Sequence, residues 1–138
     1  MSTIYVLDAC ALIALFSYED GAEKVASIYK DANNGNAKIM MNAVNLLEVY
    51  YDFYRAYSKE TADVMIAQVE ASIINVITDI NKTLLTEAGR LKATYKISLA
   101  DSFALSQAKT TGGLLLTSDH HEFDAIEGKE PIIFSWIR

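Results

Sequence analysis

Four carboxylates stand where a strand-like run gives way to a helix-like one, or in the first turns of such a helix. Asp8 follows Ile4–Leu7 and precedes Ala9–Phe16 with no turn between them. Glu48 lies about one turn into the segment NAVNLLE that follows Lys38–Met41. Asp101 falls in the first turn of ISLADSFAL, and Asp119 follows LLLT (Leu114–Thr117) and Ser118. Taken singly, each reads as a helix cap. Asp8 is a plausible N-cap, Asn45-x-x-Glu48 resembles a capping box with Asn in place of Ser, Ser98-x-x-Asp101 fits the capping pattern directly, and Asp119 suits the start of a short helix through His120-His121-Glu122. Acidic residues favour first turns in any case. Taken together they imply more. If the fold brings these turns to one edge, four like charges repel, and the cluster is sustained only by a divalent cation or by carboxylates that stay protonated.

The ligand set is all oxygen. With one cysteine and no His-x-x-x-His spacing, zinc is unsupported. The ligands are spread along the chain, unlike a calcium loop, so hard oxygen donors with open positions point to Mg²⁺ or Mn²⁺. Acidic sites of this type bind phosphate esters through the metal and support in-line displacement by water.

The elements that must position these groups alternate. Strands are expected at Ile4–Leu7, Lys38–Met41, Ile73–Ile77, Leu114–Thr117 and Ile132–Phe134. Helices are expected at Ala9–Phe16, Ala22–Ala32, Val44–Tyr57, Thr61–Ala71, Lys82–Tyr95 and Leu99–Lys109. Apolar strands alternating with amphipathic helices predict an α/β chain, a three-layer α/β/α sandwich with a mainly parallel central sheet. In such sheets the strand-to-helix turns lie at the carboxyl edge, where ligands bind. No repeat, linker or low-complexity stretch divides residues 1–138, so one domain is expected.

Composition narrows the function classes. The formal net charge is −6, which argues against a simple charge-driven nucleic-acid binder but leaves room for an enzyme whose positive charge arrives as metal. No apolar run is long enough to cross a bilayer, and the N-terminus lacks the features of a signal peptide. The single Cys10 cannot form an internal disulfide. A cytoplasmic protein with no membrane partner is the expectation.

The pieces IYVLDACALIALF, NAVNLLEVY, ISLADSFALSQA and LLLTSDHHEF together resemble the PIN-domain family, especially its VapC-type toxin ribonucleases, over nearly the whole chain. The resemblance implies a single PIN-like nuclease domain with an acidic metal site at Asp8, Glu48, Asp101 and Asp119. It also implies Mg²⁺- or Mn²⁺-dependent cleavage of RNA, a homodimer, and silencing by a cognate antitoxin. Within that site Asp8 and Asp101 are expected as central ligands, with Glu48 and Asp119 completing the shell directly or through water. Thr117 or Ser118 would orient that water or the scissile phosphate. The chain departs from the family's Thr-x-Asp-x-x-Phe piece by one extra residue between Asp119 and Phe123, and Asn42 and Asn45 stand where relatives often carry Ser or Thr.

Other residues invite a role alongside a plainer reading. His120 and His121 flank Asp119, but adjacent helical residues point apart. Cys10 is expected to be a buried, inert thiol, and Asp124 a surface carboxylate or a supporting partner. Tyr50, Phe53, Tyr54 and Tyr57 form a helical stripe that suits core, a partner surface or base stacking. Lys92 and Lys96, spaced i, i+4 before Asp101, are candidate RNA-phosphate contacts or a solvated face. The alternatives to a nuclease are a catalytically silent PIN-like scaffold that binds protein or RNA, and a receiver-like phosphoacceptor. The latter would need paired acids after the first strand and a lysine after a late one. A haloacid-dehalogenase-type phosphatase would need an acid at position 10, where cysteine stands.

Overall fold

A computed structural model describes residues 2–138. Its elements run β1 (Thr3–Leu7), α1 (Ala9–Ser17), α2 (Ala22–Asn33), β2 (Ala37–Asn42), α3 (Ala43–Ala56), α4 (Lys59–Glu70), β3 (Asn75–Ile77), α5 (Lys82–Thr94), α6 (Leu99–Thr111), β4 (Leu114–Thr117), α7 (His120–Phe123) and β5 (Ile133–Trp136). The five strands form one sheet in the order β3-β2-β1-β4-β5, and every pairing is parallel. This is the expected three-layer α/β/α fold. No helix among the described residues is long and apolar enough to cross a membrane.

Alternation along the central strands divides the core in two. Leu7 of β1 and Leu116 of β4 face the layer built by α1, α2, α3 and α4, where Leu12, Val25, Val49 and Met65 are buried. Their neighbours Val6 and Leu115 face the opposite way, onto Leu91 of α5, Leu105 of α6, and Phe123 and Ile126 of α7 and the turn after it. A strand buried on both faces has no polar side to offer, which is why these segments read as continuous apolar runs. Phe123 is fully buried beside Phe134, so the extra residue before it is absorbed without moving the aromatic from the core.

Three local expectations change. Asn42, not Asn45, caps α3: its side chain accepts from Val44 N at 2.9 Å, and Asn45 is already helical and buried. The third strand is confined to Asn75–Ile77. Helix α5 ends at Thr94 with Tyr95 extended, so Lys96 is not helical and does not share a helix face with Lys92. The turn between α1 and α2 is closed by Gly21 at φ +96°, and a Cβ there would lie 2.6 Å from the Ile137 carbonyl oxygen. Only glycine combines that conformation with that approach.

Candidate metal centre

The chain leaves β1 toward one side of the sheet and later returns to build β4 and β5 on the other. The order therefore reverses between β1 and β4, which is where an open parallel sheet forms a crevice at its carboxyl edge. Asp8 directly follows β1 at this point, and Thr117 ends β4 opposite it. Asp8 is 2 % exposed and caps α1 by accepting from Ala11 N at 2.9 Å through Oδ1. Its other oxygen accepts the hydroxyl proton of Thr117. Thr117 Oγ1 in turn accepts from Asp119 N at 3.0 Å, and Asp119 caps α7 by accepting from Glu122 N at 3.1 Å. One buried hydroxyl thus ties the two strand ends together and fixes the Asp8 carboxylate. Ser118, between them, is half-buried.

Asp101 is buried in the first turn of α6, which Ser98 caps by accepting from Asp101 N. Glu48, half-buried, projects from α3 one turn beyond Asn45. Helices α3 and α6 are pinned to each other by two amide bonds. Asn42 Nδ2 donates to Gln107 Oε1 at 3.1 Å, and Asn45 Nδ2 donates to the Ala100 carbonyl at 2.9 Å. These bonds set the spacing of the helices that carry Glu48 and Asp101. Gln107 went unnoticed in the sequence. The available signal was an amide within the largely apolar run ISLADSFALSQA; in the structure residues 101–108 are all buried, where an unpaired polar group is costly.

Charge links the four acids. Burial pushes the Asp8 carboxyl up to about 7, opposed by its bonds from Thr117 and Ala11 and reinforced by the charges of Asp119 and Glu48. Asp101 is also raised to about 7, by burial first and then by Asp119 and Asp8. Glu48 is raised by burial and by Asp52 and Asp119. The most telling group is Cys10, half-buried in the first turn of α1. Burial raises its thiol, and so do the charges of Asp8, Asp119, Asp101 and Glu48, in that order. A single sulfur therefore lies within electrostatic reach of all four carboxylates, which the primary structure separates by up to 111 positions (119 − 8).

Among the described residues, no three His, Cys, Asp or Glu side chains converge closely enough to hold an ion as they stand. The donor chemistry nevertheless fits a hard divalent cation. The groups are all carboxylates, they repel one another, and no cation is among the main influences on Asp8 or Asp101. Asn45 Oδ1, one turn before Glu48, is the one buried side-chain oxygen among the described residues without a hydrogen-bond donor. Asp8 and Asp101 would hold such an ion, with Glu48 and Asp119 at its rim.

Other expected residues lie elsewhere. Lys92 and Lys96 are exposed at the end of α5 and in the turn to α6. Arg90 is bound by Glu87 and Glu130. His120 faces Asp124 and the C-terminal segment, with Nδ1 2.8 Å from Asp124 Oδ1 and Nε2 2.8 Å from the Arg138 carbonyl oxygen. His121 is exposed. The aromatic stripe of α3 divides: Phe53 is buried, Tyr50 is half-buried, and Tyr54 and Tyr57 are exposed.

The PIN-domain profile matches residues 5–129. Among solved structures the chain is similar to VapBC-1 of nontypeable Haemophilus influenzae, at 20 % identity over 98 % of each chain with a TM-score of 0.72. It is also similar to VapBC2 of Rickettsia felis bound to a promoter DNA fragment, at 19 % identity over 97 % of this chain and 98 % of that one, TM-score 0.74. A third is the sarcin-ricin-loop-cleaving toxin VapC20 of Mycobacterium tuberculosis, at 16 % identity over 90 % of this chain and 95 % of that one, TM-score 0.68. At these identities the likeness is one of fold. No curated protein matches the sequence significantly.

Proposed function

This chain belongs to the PIN-domain family, and from that membership and the acidic edge we propose that it is a Mg²⁺- or Mn²⁺-dependent endoribonuclease, the toxin of a type II toxin–antitoxin pair. The observation that carries the reading is the hydrogen-bond chain Asp8–Thr117–Asp119, which joins two of the four acids across neighbouring strand ends at the carboxyl edge of the sheet. Burial first, and then the charge of neighbouring acids, raises Asp8 and Asp101 to about 7 with no cation among the main influences. A structural cap has no need of that arrangement. Solved neighbours that carry VapB with VapC, and one described as cleaving the sarcin-ricin loop, support the same reading.

A bound divalent ion supplies positive charge against the charge developing on the phosphate oxygens and makes water a better nucleophile. The chain's own groups do the rest. Asp8 and Asp101 would hold the ion, and the Thr117 hydroxyl holds the Asp8 carboxylate in one orientation. The Asn42–Gln107 and Asn45–Ala100 bonds keep Glu48 and Asp101 at a fixed separation. Water attacks phosphorus while a carboxylate of the set accepts its proton, the bond to the leaving ribose oxygen breaks, and that oxygen takes up a proton from solvent. With the Thr117 hydroxyl committed to Asp8, the half-buried Ser118 orients the attacking water or the scissile phosphate. Lys92 and Lys96 contact flanking phosphates. The working partners are single-stranded or looped RNA, a second copy of the chain, and an antitoxin that silences it in the cytoplasm.

The test is cleavage of a defined structured RNA by the purified protein with Mn²⁺, with Mn²⁺ plus excess EDTA, and by Asp101→Asn with Mn²⁺. Cleavage in the first arm alone is expected. Equal cleavage in all three arms refutes the assignment, and none in any arm favours the silent scaffold.

A further inference from the structure

Beside Asp119 the structure carries a feature that the metal centre does not use. The rings of Phe134, Trp136 and His120 form a continuous stack that runs from the core to the surface. Phe134 and Trp136 lie 5.4 Å apart at 11°, and Trp136 and His120 lie 3.8 Å apart at 12°. His120 is locked in place. One ring nitrogen faces Asp124 Oδ1, the other faces the Arg138 carbonyl oxygen, and both contacts are 2.8 Å. Trp136 is fixed in turn by donating from Nε1 to Glu127 at 3.0 Å. With one face against the indole and both nitrogens engaged, His120 still keeps 47 % of its side-chain surface exposed. Its outer face is therefore open, rigid and flat, one residue from a proposed metal ligand. Two cations lie nearby. Lys24 Nζ donates to the Trp136 carbonyl at 2.7 Å, and the Arg138 guanidinium donates to the Asp20 carbonyl at 2.7 Å and faces Glu19 at 3.5 Å.

We propose that the outer face of His120 is a stacking subsite for one nucleobase of single-stranded RNA, next to the position where the backbone is cut. This rests on the nuclease reading for its place beside the scissile phosphate, while the subsite itself needs no metal. The chemistry is that of an extended π-stack: every base has a flat face, and a pre-oriented ring loses little freedom on stacking. In a chain of net charge −6 such a platform provides affinity that overall electrostatics would not. The carboxylates of Asp124 and Glu127 lie at the edges of His120 and Trp136, where they orient the rings, and not across the open face.

The test uses the full chain in EDTA with a fluorescent single-stranded RNA of about ten nucleotides, a matched oligomer with abasic residues, and three variants: His120→Phe, His120→Leu and His120→Ala. Stacking by one base corresponds to about a tenfold change in Kd. Wild type and His120→Phe are expected to bind alike, His120→Leu and His120→Ala about tenfold more weakly, and the abasic oligomer as weakly as those variants. Emission from Trp136, the only tryptophan, should change on binding of the normal RNA alone. Equal binding by the Leu and Phe variants overturns the proposal, as does equal binding of the abasic oligomer or no RNA binding by wild type. Adding Mn²⁺ separates the two claims. Cleavage without base-dependent binding leaves the nuclease standing and removes the subsite. Base-dependent binding without cleavage does the opposite.

Discussion

Replacing Asp8 by Asn should make the metal-free protein more stable at neutral pH and leave it unable to use a metal. Asn is nearly isosteric and keeps the oxygen that accepts from Ala11 N, so the cap on α1 survives. It can donate to Thr117, whose hydroxyl oxygen has room for two donors. What disappears is a buried negative charge. A carboxyl raised from 3.8 to about 7 favours its protonated form in the folded state by about 4 kcal/mol. Because the folded state holds the proton more tightly than the unfolded chain, stability is greatest below pH 4 and falls as pH rises from about 4 to about 7. Above that window the full penalty remains. The variant lacks this contribution, so the two proteins should be equally stable near pH 4 and diverge with rising pH. After allowance for burying an amide, the variant should lead by about 2 to 4 kcal/mol at pH 8. For a chain of 138 residues that is a rise in Tm of roughly 7 to 14 °C. The assay is thermal or urea unfolding in EDTA from pH 4 to pH 8, repeated with Mn²⁺. At a metal concentration one hundred times Kd the wild type should gain about 2.7 kcal/mol, and the variant should gain little. A variant less stable than wild type at pH 8 would refute the reasoning, and so would a difference that does not change with pH.

Other perturbations probe separate parts of the arrangement. Thr117→Val removes the donor to Asp8 and should cost about 1 to 3 kcal/mol by urea unfolding, with the larger loss at pH 8, where the carboxylate that it holds is ionised. Gly21→Ala forces a side chain into a positive-φ position against the Ile137 carbonyl and should lower stability by about 1 to 3 kcal/mol, measured as a shift in urea midpoint at constant m. Cys10 should alkylate at pH 8 at least about tenfold more slowly in the folded protein than in urea, because burial and the acidic edge disfavour its thiolate. Gln107→Leu orphans the Asn42 amide and should reduce Mn²⁺-dependent cleavage more than Mn²⁺-independent RNA binding.

The strands and helices were readable because their burial is one-sided or complete and their boundaries carry chemistry. Ser98 and Asp8 cap helices where a cap is expected, and Gly112 closes α6 in the left-handed conformation. A shared sheet edge for Asp8 and Asp119 followed from the parallel topology, whereas their place on neighbouring strands is visible only in the fold. Three features could not be read from the chain. Asn42 and Asn45 are both capping residues by type, and only packing of α3 on α6 decides that one caps and the other crosses to Ala100. The Lys92–Lys96 spacing is helical on paper, but Tyr95, whose hydroxyl donates to Glu130, is extended and ends α5 before Lys96. The stack of Phe134, Trp136 and His120 joins residues from β5 and α7 whose meeting depends on the turn between them.

The order of the sheet also bears on how this protein comes into being. β1 is the central strand, yet on one side it finds its neighbour at Ala37–Met41 and on the other only at Leu114–Leu116. A ribosome must therefore deliver most of the chain before that second flank can close. Until then the crevice does not exist, and Asp119 and the Thr117 hydroxyl that orders Asp8 have not been made. A truncated or unfinished copy exposes an unpaired apolar edge, but it has no completed acidic cluster. Any reactivity that this cluster confers is thus withheld from the nascent chain by topology alone.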